Sequence, residues 1–134
     1  MYFGRLNKPG DIVLIPFPYS DLSSVKKRPV VVVTAADRFG DFVAAGITSV
    51  EQAENAVELE VGSLLNGRLP KSSWIRTDKL FTLSTGNVVK HFGVLKPSAF
   101  QTMMLSICRT IGCIELRLIP EPKNCLPGWL VSGR

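Results

Sequence analysis

The chain has 134 residues, a formal net charge of +5, 46% hydrophobic residues and 20% charged residues. This length and balance predict one globular domain with its own core, and they exclude a disordered chain. No apolar segment reaches membrane-spanning length and the first residues contain no secretory hydrophobic region, so we expect a cytoplasmic protein with no membrane contact. The positive charge favours a polyanionic partner, either nucleic acid or an acidic protein segment, but a solvated basic face would explain the charge alone equally well.

The three cysteines, Cys108, Cys113 and Cys125, are odd in number and lack the paired spacing with histidines that a zinc site needs. We expect small, reduced, partly buried side chains without a metal or redox role. No other convincing ligand set is present in the sequence, and we expect the protein to need neither a metal nor another cofactor.

Two apolar, β-branched runs near the start of the chain, residues 12–15 and 30–33, predict two strands, because each run is too short for an ordinary helix. The segment between them, from Phe17 to Lys27, begins with prolines and ends in cations, and we expect a functional loop there. Pro29 has no backbone N–H. The second strand is therefore predicted to lie at a sheet edge or a barrel rim, with the Arg28 side chain at the mouth of the loop.

The rest of the chain is predicted to contain short strands, turns and one late helix. Strands are expected at residues 42–50, 56–61, 74–78, 80–83 and 88–95. The Asn-Gly pair at 66–67 and the Leu-Pro pair at 69–70 predict a loop over 62–71. Pro97 suits the first position of a helix that ends near Gly112. The apolar face of this helix comprises Phe100, Met103, Met104, Ile107 and Ile111.

Many short strands followed by one amphipathic helix predict a mainly β fold, in which a small, strongly twisted barrel packs against the helix. This domain is expected to cover residues 1–119, including one more alternating strand at 114–118. Residues 120–134 contain several prolines, and we expect them to form an irregular C-terminal extension.

Polar side chains gather at the predicted strand ends, at Arg28, Thr48, Ser49, Arg76 and Asp78. Strand periodicity places Arg76 and Asp78 on one face, where the guanidinium would hold the carboxylate ionised. An ionised carboxylate beside guanidinium groups suits the cleavage of RNA. In that reaction a base removes the proton of a ribose 2′-hydroxyl, cations stabilise the charge that builds on the phosphate, and no metal is required.

Each candidate side chain also has a purely structural interpretation. Arg76 and Asp78 can form a surface ion pair of little energetic value. Cations can form a solvated cluster, hydroxyl residues commonly end strands, and aromatic rings are often packed in a core. These interpretations apply to Lys26, Lys27, Arg28, Thr48, Ser49, Phe17 and Tyr19. His91, the only histidine, is expected to be packed or solvated in a late strand.

The stretch GDIVLIPFPYSDLSSVKKRPVVVV resembles the opening of the PemK/MazF/Kid family of bacterial toxins, whose members carry a Gly-Asp start, a loop with proline and an Arg-Pro pair before an apolar strand. With two downstream matches, the resemblance covers roughly residues 9–111. It implies an SH3-like barrel of the CcdB/PemK type with a C-terminal amphipathic helix, and it implies pairing into a homodimer.

The same resemblance implies a function. Such a protein is the toxin of a type II toxin–antitoxin system, and it is a sequence-selective, metal-independent endoribonuclease that cleaves single-stranded mRNA by 2′-hydroxyl attack. The implied partners are single-stranded RNA and a cognate antitoxin with an acidic segment. Operator DNA would be bound only by the toxin–antitoxin complex.

The resemblance also carries over the chemistry residue by residue. In the Kid branch an Arg-x-Asp on a strand past the middle of the chain serves in catalysis, and residues 76–78 match it here. In the MazF branch the Arg of the Arg-Pro pair and a hydroxyl residue that ends the third strand do so, matched by Arg28 and Thr48. Kid-like proteins use a histidine in the first loop, where this chain has Leu22.

Side-chain chemistry gives each of these residues an expected role. Arg28 and Arg76 would stabilise charge on the phosphate, and Asp78 would act as the base. Thr48 and Ser49 would donate hydrogen bonds to a phosphate oxygen. Unpaired bases would contact aromatic and polar residues around the first loop, namely Phe17, Tyr19, Ser20, Lys26 and Lys27.

Two non-catalytic interpretations remain open at this point. The fold is shared with gyrase poisons of the CcdB type, which rely on a tryptophan near the end of the terminal helix. Here Trp129 lies in the Pro-containing tail, which matches poorly. A degenerate family member used as an interaction module is the other, weaker alternative, which the Leu22 departure keeps open.

Overall fold

The computed structural model describes residues 7–18 and 25–113 of the chain. Within them, seven strands form one antiparallel sheet, followed by one helix. The elements are β1 (Asp11–Pro18), β2 (Val25–Val32), β3 (Asp41–Thr48), β4 (Ala56–Leu59), β5 (Leu64–Gly67), β6 (Ser73–Ser84), β7 (Lys90–Leu95) and α1 (Pro97–Ile111). Single 3₁₀ turns, Val61–Ser63 and Thr85–Asn87, precede β5 and β7.

The strand order β4-β6-β3-β2-β1-β7-β5 explains why the sheet curls. The two outermost strands, β4 and β5, are joined by residues 60–63 alone. Such a connection spans at most about 18 Å between the strand ends, whereas seven flat strands would be about 29 Å wide. The sheet must therefore bend into a half-barrel, and the predicted mainly β barrel with a C-terminal helix is confirmed.

Both faces of the central strands are buried, which is why β1, β2 and β3 contain continuous apolar runs. One face carries the helix-side cluster, which packs against α1 and contains Ile12, Val31, Ala45, Ile47, Leu59, Ile75, Leu95, Met103 and Ile107. The other face carries the cleft-side cluster of Val13, Ile15, Val30, Val32, Phe42, Ala44 and Val88. Successive side chains of a strand point to opposite faces, so neighbours such as Val30 and Val31 belong to different clusters.

Helix α1 begins and ends as the sequence predicts. Pro97 occupies its first turn, and Gly112 ends it in the left-handed conformation with φ +93°. Met103 and Ile107 are buried in the helix-side cluster. Ile111 was wrongly placed on the buried face, because it is the last residue of α1 and is 62% exposed.

The predicted first loop is shorter than expected. β1 continues through Pro18 and β2 begins at Val25, so the prediction of a loop from Phe17 to Lys27 is wrong at both ends. Cross-strand pairing of Phe17 with Lys26 extends the ladder over these residues. Residues 19–24, which include Tyr19, Ser20 and Leu22, lie outside the described residues.

The edge position predicted for the second strand is also wrong. β2 lies in the middle of the sheet, between β1 and β3. Pro29 is tolerated there because the pairing of β2 with β3 starts only at Val30, while Pro29 is paired with Leu14 of β1 alone.

The predicted loop over 62–71 contains β5, which pairs with β7. This strand is too short to show alternation, and it depends on a close backbone approach. A Cβ atom at Gly67 would overlap the carbonyl oxygen of Phe92, and one at Gly93 would overlap that of Asn66. The strands predicted at 74–78 and 80–83 are a single strand, β6.

The remaining sequence predictions concern the cysteines and the end of the chain. Cys108 and Cys113, predicted to be reduced, form a disulfide across the end of α1, since the turn at Gly112 brings their Cα atoms within 4.8 Å.

The domain boundary at residue 119, the strand at 114–118 and Trp129 all lie outside the described residues. No helix within residues 7–18 and 25–113 is long and apolar enough to cross a membrane.

Candidate active site

A cleft of about 300 Å³ opens on the cleft-side face of the sheet, where β1, β2, β3 and β6 come together. Arg28, Thr48 and Arg76, predicted as catalytic from three separate parts of the chain, all line it. Its described lining residues are Phe17, Arg28, Pro29, Gly46, Ile47, Thr48, Arg76, Lys79 and Phe81. Three of these residues are cations and none is acidic, so the cleft suits a bound phosphate group.

The strand register explains why the three polar side chains meet. The last paired residues of β2 and β3 at this end are Val30 and Gly46. Arg28 and Thr48 each lie two residues beyond that pair, so their side chains are on the same face. Arg76 of β6 is paired with Gly46 and therefore shares this face as well.

An irregularity in the ladder between β3 and β6 shapes one side of the cleft. Gly46 is paired with Arg76, whereas the preceding residue Ala45 is paired with Leu80, so residues 77–79 have no partner on β3. Gly46 lies close to this bulge, since a Cβ atom built on it would be 3.5 Å from the Phe81 ring and 3.8 Å from the Lys79 Cβ. The bulge thus brings Lys79 and Phe81 to the cleft.

Two aromatic rings form an apolar wall beside the cations. The Phe17 and Phe81 ring centroids are 5.1 Å apart and the rings are tilted by 54°. Phe17 also packs against the cleft-side cluster, so the core interpretation and the binding interpretation both apply to it. Lys79 and Phe81 were missed by the sequence analysis, and only the strand register could have indicated them.

Arg76 holds Asp78 in a two-point contact. Arg76 Nε donates to Asp78 Oδ1 and Arg76 Nη2 donates to Asp78 Oδ2, each over 3.1 Å, and the side chains are 27% and 31% exposed. These hydrogen bonds hold the pKa of Asp78 below its ordinary value of 3.8, against the opposing effect of partial burial, and the positive charge of Arg76 adds to the lowering. Asp78 is not among the described lining residues of the cleft, whereas its partner Arg76 is.

The hydroxyl of Thr48 is already used as an acceptor. Thr48 Oγ1 accepts a hydrogen bond from the Val50 N–H over 3.1 Å, which is the local turn that the structural interpretation expects. A hydroxyl also has one hydrogen to donate, and that hydrogen remains available to a phosphate oxygen in the cleft. Ser49 is exposed in the bend after β3 and is not among the described lining residues.

The other predicted residues are not among the described residues that line the cleft. Lys26 and Lys27 are exposed on β2, outside the described lining of the cleft. Tyr19, Ser20 and Leu22 lie outside the described residues. His91 is on β7, with its Nε2 atom 3.4 Å from Asp11 Oδ2, and its side chain is mostly buried as the packed interpretation expects. In the part of the chain that the structure describes, no group of three His, Cys, Asp or Glu side chains could hold a metal ion.

Residues 8–111 match the family described as the PemK-like, MazF-like toxin of type II toxin–antitoxin systems. No curated protein sequence matches the chain. Because the family match covers most of the chain, the chain belongs to this family, and the resemblance identified in the sequence is confirmed.

Solved structures of low sequence identity share the fold. An endoribonuclease in complex with its cognate antitoxin, from Mycobacterial species, is 15% identical, with 86% of this chain and 98% of that chain covered and a TM-score of 0.65. A MazE–MazF complex (Form-II) from Deinococcus radiodurans is 15% identical, with 78% and 95% covered and a TM-score of 0.65. The Mycobacterium tuberculosis toxin MazF-mt6 is 17% identical, with 75% and 96% covered and a TM-score of 0.56.

Proposed function

We propose that this member of the PemK-like, MazF-like family is an endoribonuclease that cleaves single-stranded RNA, with mRNA as its substrate, in the cleft between β1, β2, β3 and β6. The observation that carries the proposal is the meeting of Arg28, Thr48 and Arg76, which come from three strands, around one cationic cleft with an aromatic wall. Neither a surface ion pair nor a solvated basic cluster requires such convergence.

The proposed reaction is an internal transfer at phosphorus. The ribose O2′ forms a bond to the adjacent phosphorus while the bond from phosphorus to O5′ breaks. The O2′ proton passes to a water molecule, and O5′ takes a proton from water, so no net proton is released. The products are a 2′,3′-cyclic phosphate and a 5′-hydroxyl. No metal is needed in this scheme, because two guanidinium groups can stabilise the charge that builds on the phosphate oxygens.

Arg28 and Arg76 are assigned to the phosphate, with Thr48 donating its hydroxyl hydrogen to a non-bridging oxygen. Lys79 lines the same cleft and adds a third positive charge. The cations hold the phosphate before the reaction and stabilise it more strongly in the transition state, where its charge is greater.

The sequence-based role of Asp78 as the base is less well supported than a role in orienting Arg76. Both carboxylate oxygens already accept hydrogen bonds from Arg76, and a lowered pKa makes Asp78 a weaker proton acceptor. Its contact with Arg76 fixes the plane of the guanidinium, which must be set correctly for a two-point contact with phosphate. We therefore assign Asp78 to positioning.

Base recognition is assigned to the aromatic wall. A base stacked on Phe17 or Phe81 would gain about 1–3 kcal/mol of binding free energy, largely independent of its identity. Tyr19, Ser20, Lys26, Lys27 and Ser49 are proposed to contact RNA further along the strand, as the sequence predicts. The sequence preference would come from these contacts around the cleft.

The proposed protein partner is a cognate antitoxin with an acidic segment. Similar folds occur in complexes with antitoxins, and this chain has a net charge of +5. An acidic segment laid on the cationic cleft would compete with RNA for the same donors. The homodimer, the binding of operator DNA by the toxin–antitoxin complex, and action in the cytoplasm are further parts of this proposal, as is a toxin domain over residues 1–119.

The direct test is incubation of the purified protein with single-stranded RNA in the presence of EDTA. We expect cleavage with 2′,3′-cyclic phosphate and 5′-hydroxyl ends, identified by mass spectrometry. RNA with one 2′-deoxy nucleotide at the cleavage site is the matched control substrate and should stay intact there. Intact RNA in all reactions, or cleavage of the 2′-deoxy control, would contradict the proposal. Growth arrest without RNA cleavage would favour a non-catalytic inhibitor.

A further inference from the structure

The residue between Arg76 and Asp78 is buried although both of its neighbours are partly exposed. Thr77 has no exposed surface. Strand alternation turns its side chain away from the cleft and toward α1, on the same face as Ile75 of the helix-side cluster. A hydroxyl buried at this position needs hydrogen-bond partners to offset the loss of water.

Its partners are two hydroxyl residues on the last turns of α1. Thr77 Oγ1 is 3.0 Å from Thr110 Oγ1, and Ser106 Oγ donates to Thr77 Oγ1 over 3.4 Å. Thr110 Oγ1 donates its only hydrogen to the Ser106 carbonyl over 2.9 Å. Thr77 is therefore the donor to Thr110 and the acceptor from Ser106, so its hydroxyl is fixed in both roles.

The backbone of Thr77 is held as well. Its N–H donates to the Asn55 carbonyl over 2.9 Å, just beyond the end of the β4 ladder, where Asn55 adopts a φ of +56°. Residues 77–79 have no partner on β3 because of the bulge. The contacts with Asn55, Ser106 and Thr110 therefore replace the missing ladder at the point that separates Arg76 from Asp78.

We propose that Thr77, anchored to α1 by Ser106 and Thr110, is a positioning residue that holds the bulge of β6 in the shape at which Asp78 clamps Arg76 toward the cleft. This inference rests on the proposed function for its catalytic consequence. Its structural part, the geometry of the Arg76–Asp78 contact, can be measured without any RNA.

The first readout is the pKa of Asp78, followed by NMR titration of its side-chain carboxyl carbon. In Thr77→Val, which removes the hydroxyl and keeps the shape, we expect the pKa of Asp78 to rise toward 3.8 as the contact with Arg76 loosens. Thr77→Ser restores a hydroxyl and should restore the low value. Thr102→Val is the matched control, because Thr102 is exposed and its hydroxyl donates to the Ser98 carbonyl of its own helix.

The second readout is RNA cleavage by the same proteins. Thr77→Val should lower kcat by about tenfold with little change in KM, because a displaced guanidinium affects the transition state more than ground-state binding. Thr110→Val removes the partner on the helix and should give the same pattern, which keeps the test available if Thr77→Val fails to fold. An unchanged pKa of Asp78 together with an unchanged kcat in folded Thr77→Val and Thr110→Val would overturn the inference.

The two proposals fail separately. If the wild-type protein cleaves no RNA but Thr77→Val still raises the pKa of Asp78, the positioning role is correct and the proposed function is wrong. If RNA is cleaved and neither readout responds to Thr77→Val or Thr110→Val, the proposed function is correct and the positioning role is wrong.

Discussion

The two faces of the sheet are built from the same strands but differ in the side chains at their ends. The helix-side face is closed by α1, and its buried cluster is apolar, with the hydroxyl residues Ser73 and Thr77 buried on the same face of β6. The cleft-side face is apolar in its middle but ends in Arg28, Thr48 and Arg76 instead of further core residues. Because neighbouring residues alternate between the faces, one residue of a strand can pack against α1 while the next lies on the face of the cleft.

This comparison predicts that the largest loss of stability will come from the helix-side face. Met103→Ala should lower the free energy of unfolding by about 2–5 kcal/mol, since Met103 is fully buried between α1 and the sheet. Urea unfolding followed by circular dichroism measures it. Leu105→Ala, on the same helix but 42% exposed, is the control and should lose much less. Equal losses in the two variants would contradict the assignment of the buried face.

The largest loss of activity should come from the cleft side. Arg28→Ala should reduce kcat for RNA cleavage by about 10²–10³, as expected for a lost donor to the charged phosphate, and should change stability by less than about 1 kcal/mol. Arg38→Ala removes an equal charge from an exposed turn, where the guanidinium lies 4.8 Å from the Phe39 ring centroid, and should retain activity. Similar rates for both variants would show that the convergence in the cleft has no catalytic role.

Asp78→Asn sharpens the comparison, because Asp78 contacts Arg76 but is not among the described residues that line the cleft. A positioning role predicts a loss of about tenfold in kcat, since the amide oxygen can still accept one hydrogen bond from Arg76. A role as general base predicts a loss of about 10²–10⁴. Single-turnover rates at saturating RNA distinguish the two, and a loss in the higher range would restore the role that the sequence analysis assigned to Asp78.

The smallest effect concerns acid stability. The pKa of Asp78 is lowered in the folded protein, so the Arg76 contact contributes stability above the unfolded-state pKa near 3.8, and this contribution is lost as the pH falls through the folded-state pKa. Both side chains are partly exposed, so the contribution should be under about 1 kcal/mol. The difference in unfolding free energy between wild type and Asp78→Asn should shrink as the pH falls below 3.8. A difference that stays constant through this range would contradict the contact.

The sequence predicts those parts of the site that depend on local pattern. Two-residue spacing places Arg76 and Asp78 on one face, and the family resemblance adds Arg28 and Thr48. Lys79 and Phe81 could not be predicted, because they reach the cleft through a bulge that only the pairing of β3 with β6 defines. The role of Thr77 was equally inaccessible, since Thr110 is 33 residues away in the sequence.

The same distinction applies to the fold. Apolar runs and the Pro97 and Gly112 signals identify most strands and the helix, because these signals are local. β5 was missed because it is short and is defined by its contact with β7, where Gly67 and Gly93 allow the backbones to meet. The disulfide between Cys108 and Cys113 likewise depends on the chain reversal at Gly112. This reversal brings together two cysteines that the sequence did not indicate as a pair.

The most direct test of the central claim is a crystal structure of the protein bound to an RNA whose scissile nucleotide is 2′-deoxy and cannot be cleaved. We predict that the scissile phosphate lies within hydrogen-bond distance of both the Arg28 and the Arg76 guanidinium groups, with a flanking base against Phe17 or Phe81. A phosphate bound away from this cleft, with either guanidinium making no contact to RNA, would contradict the account.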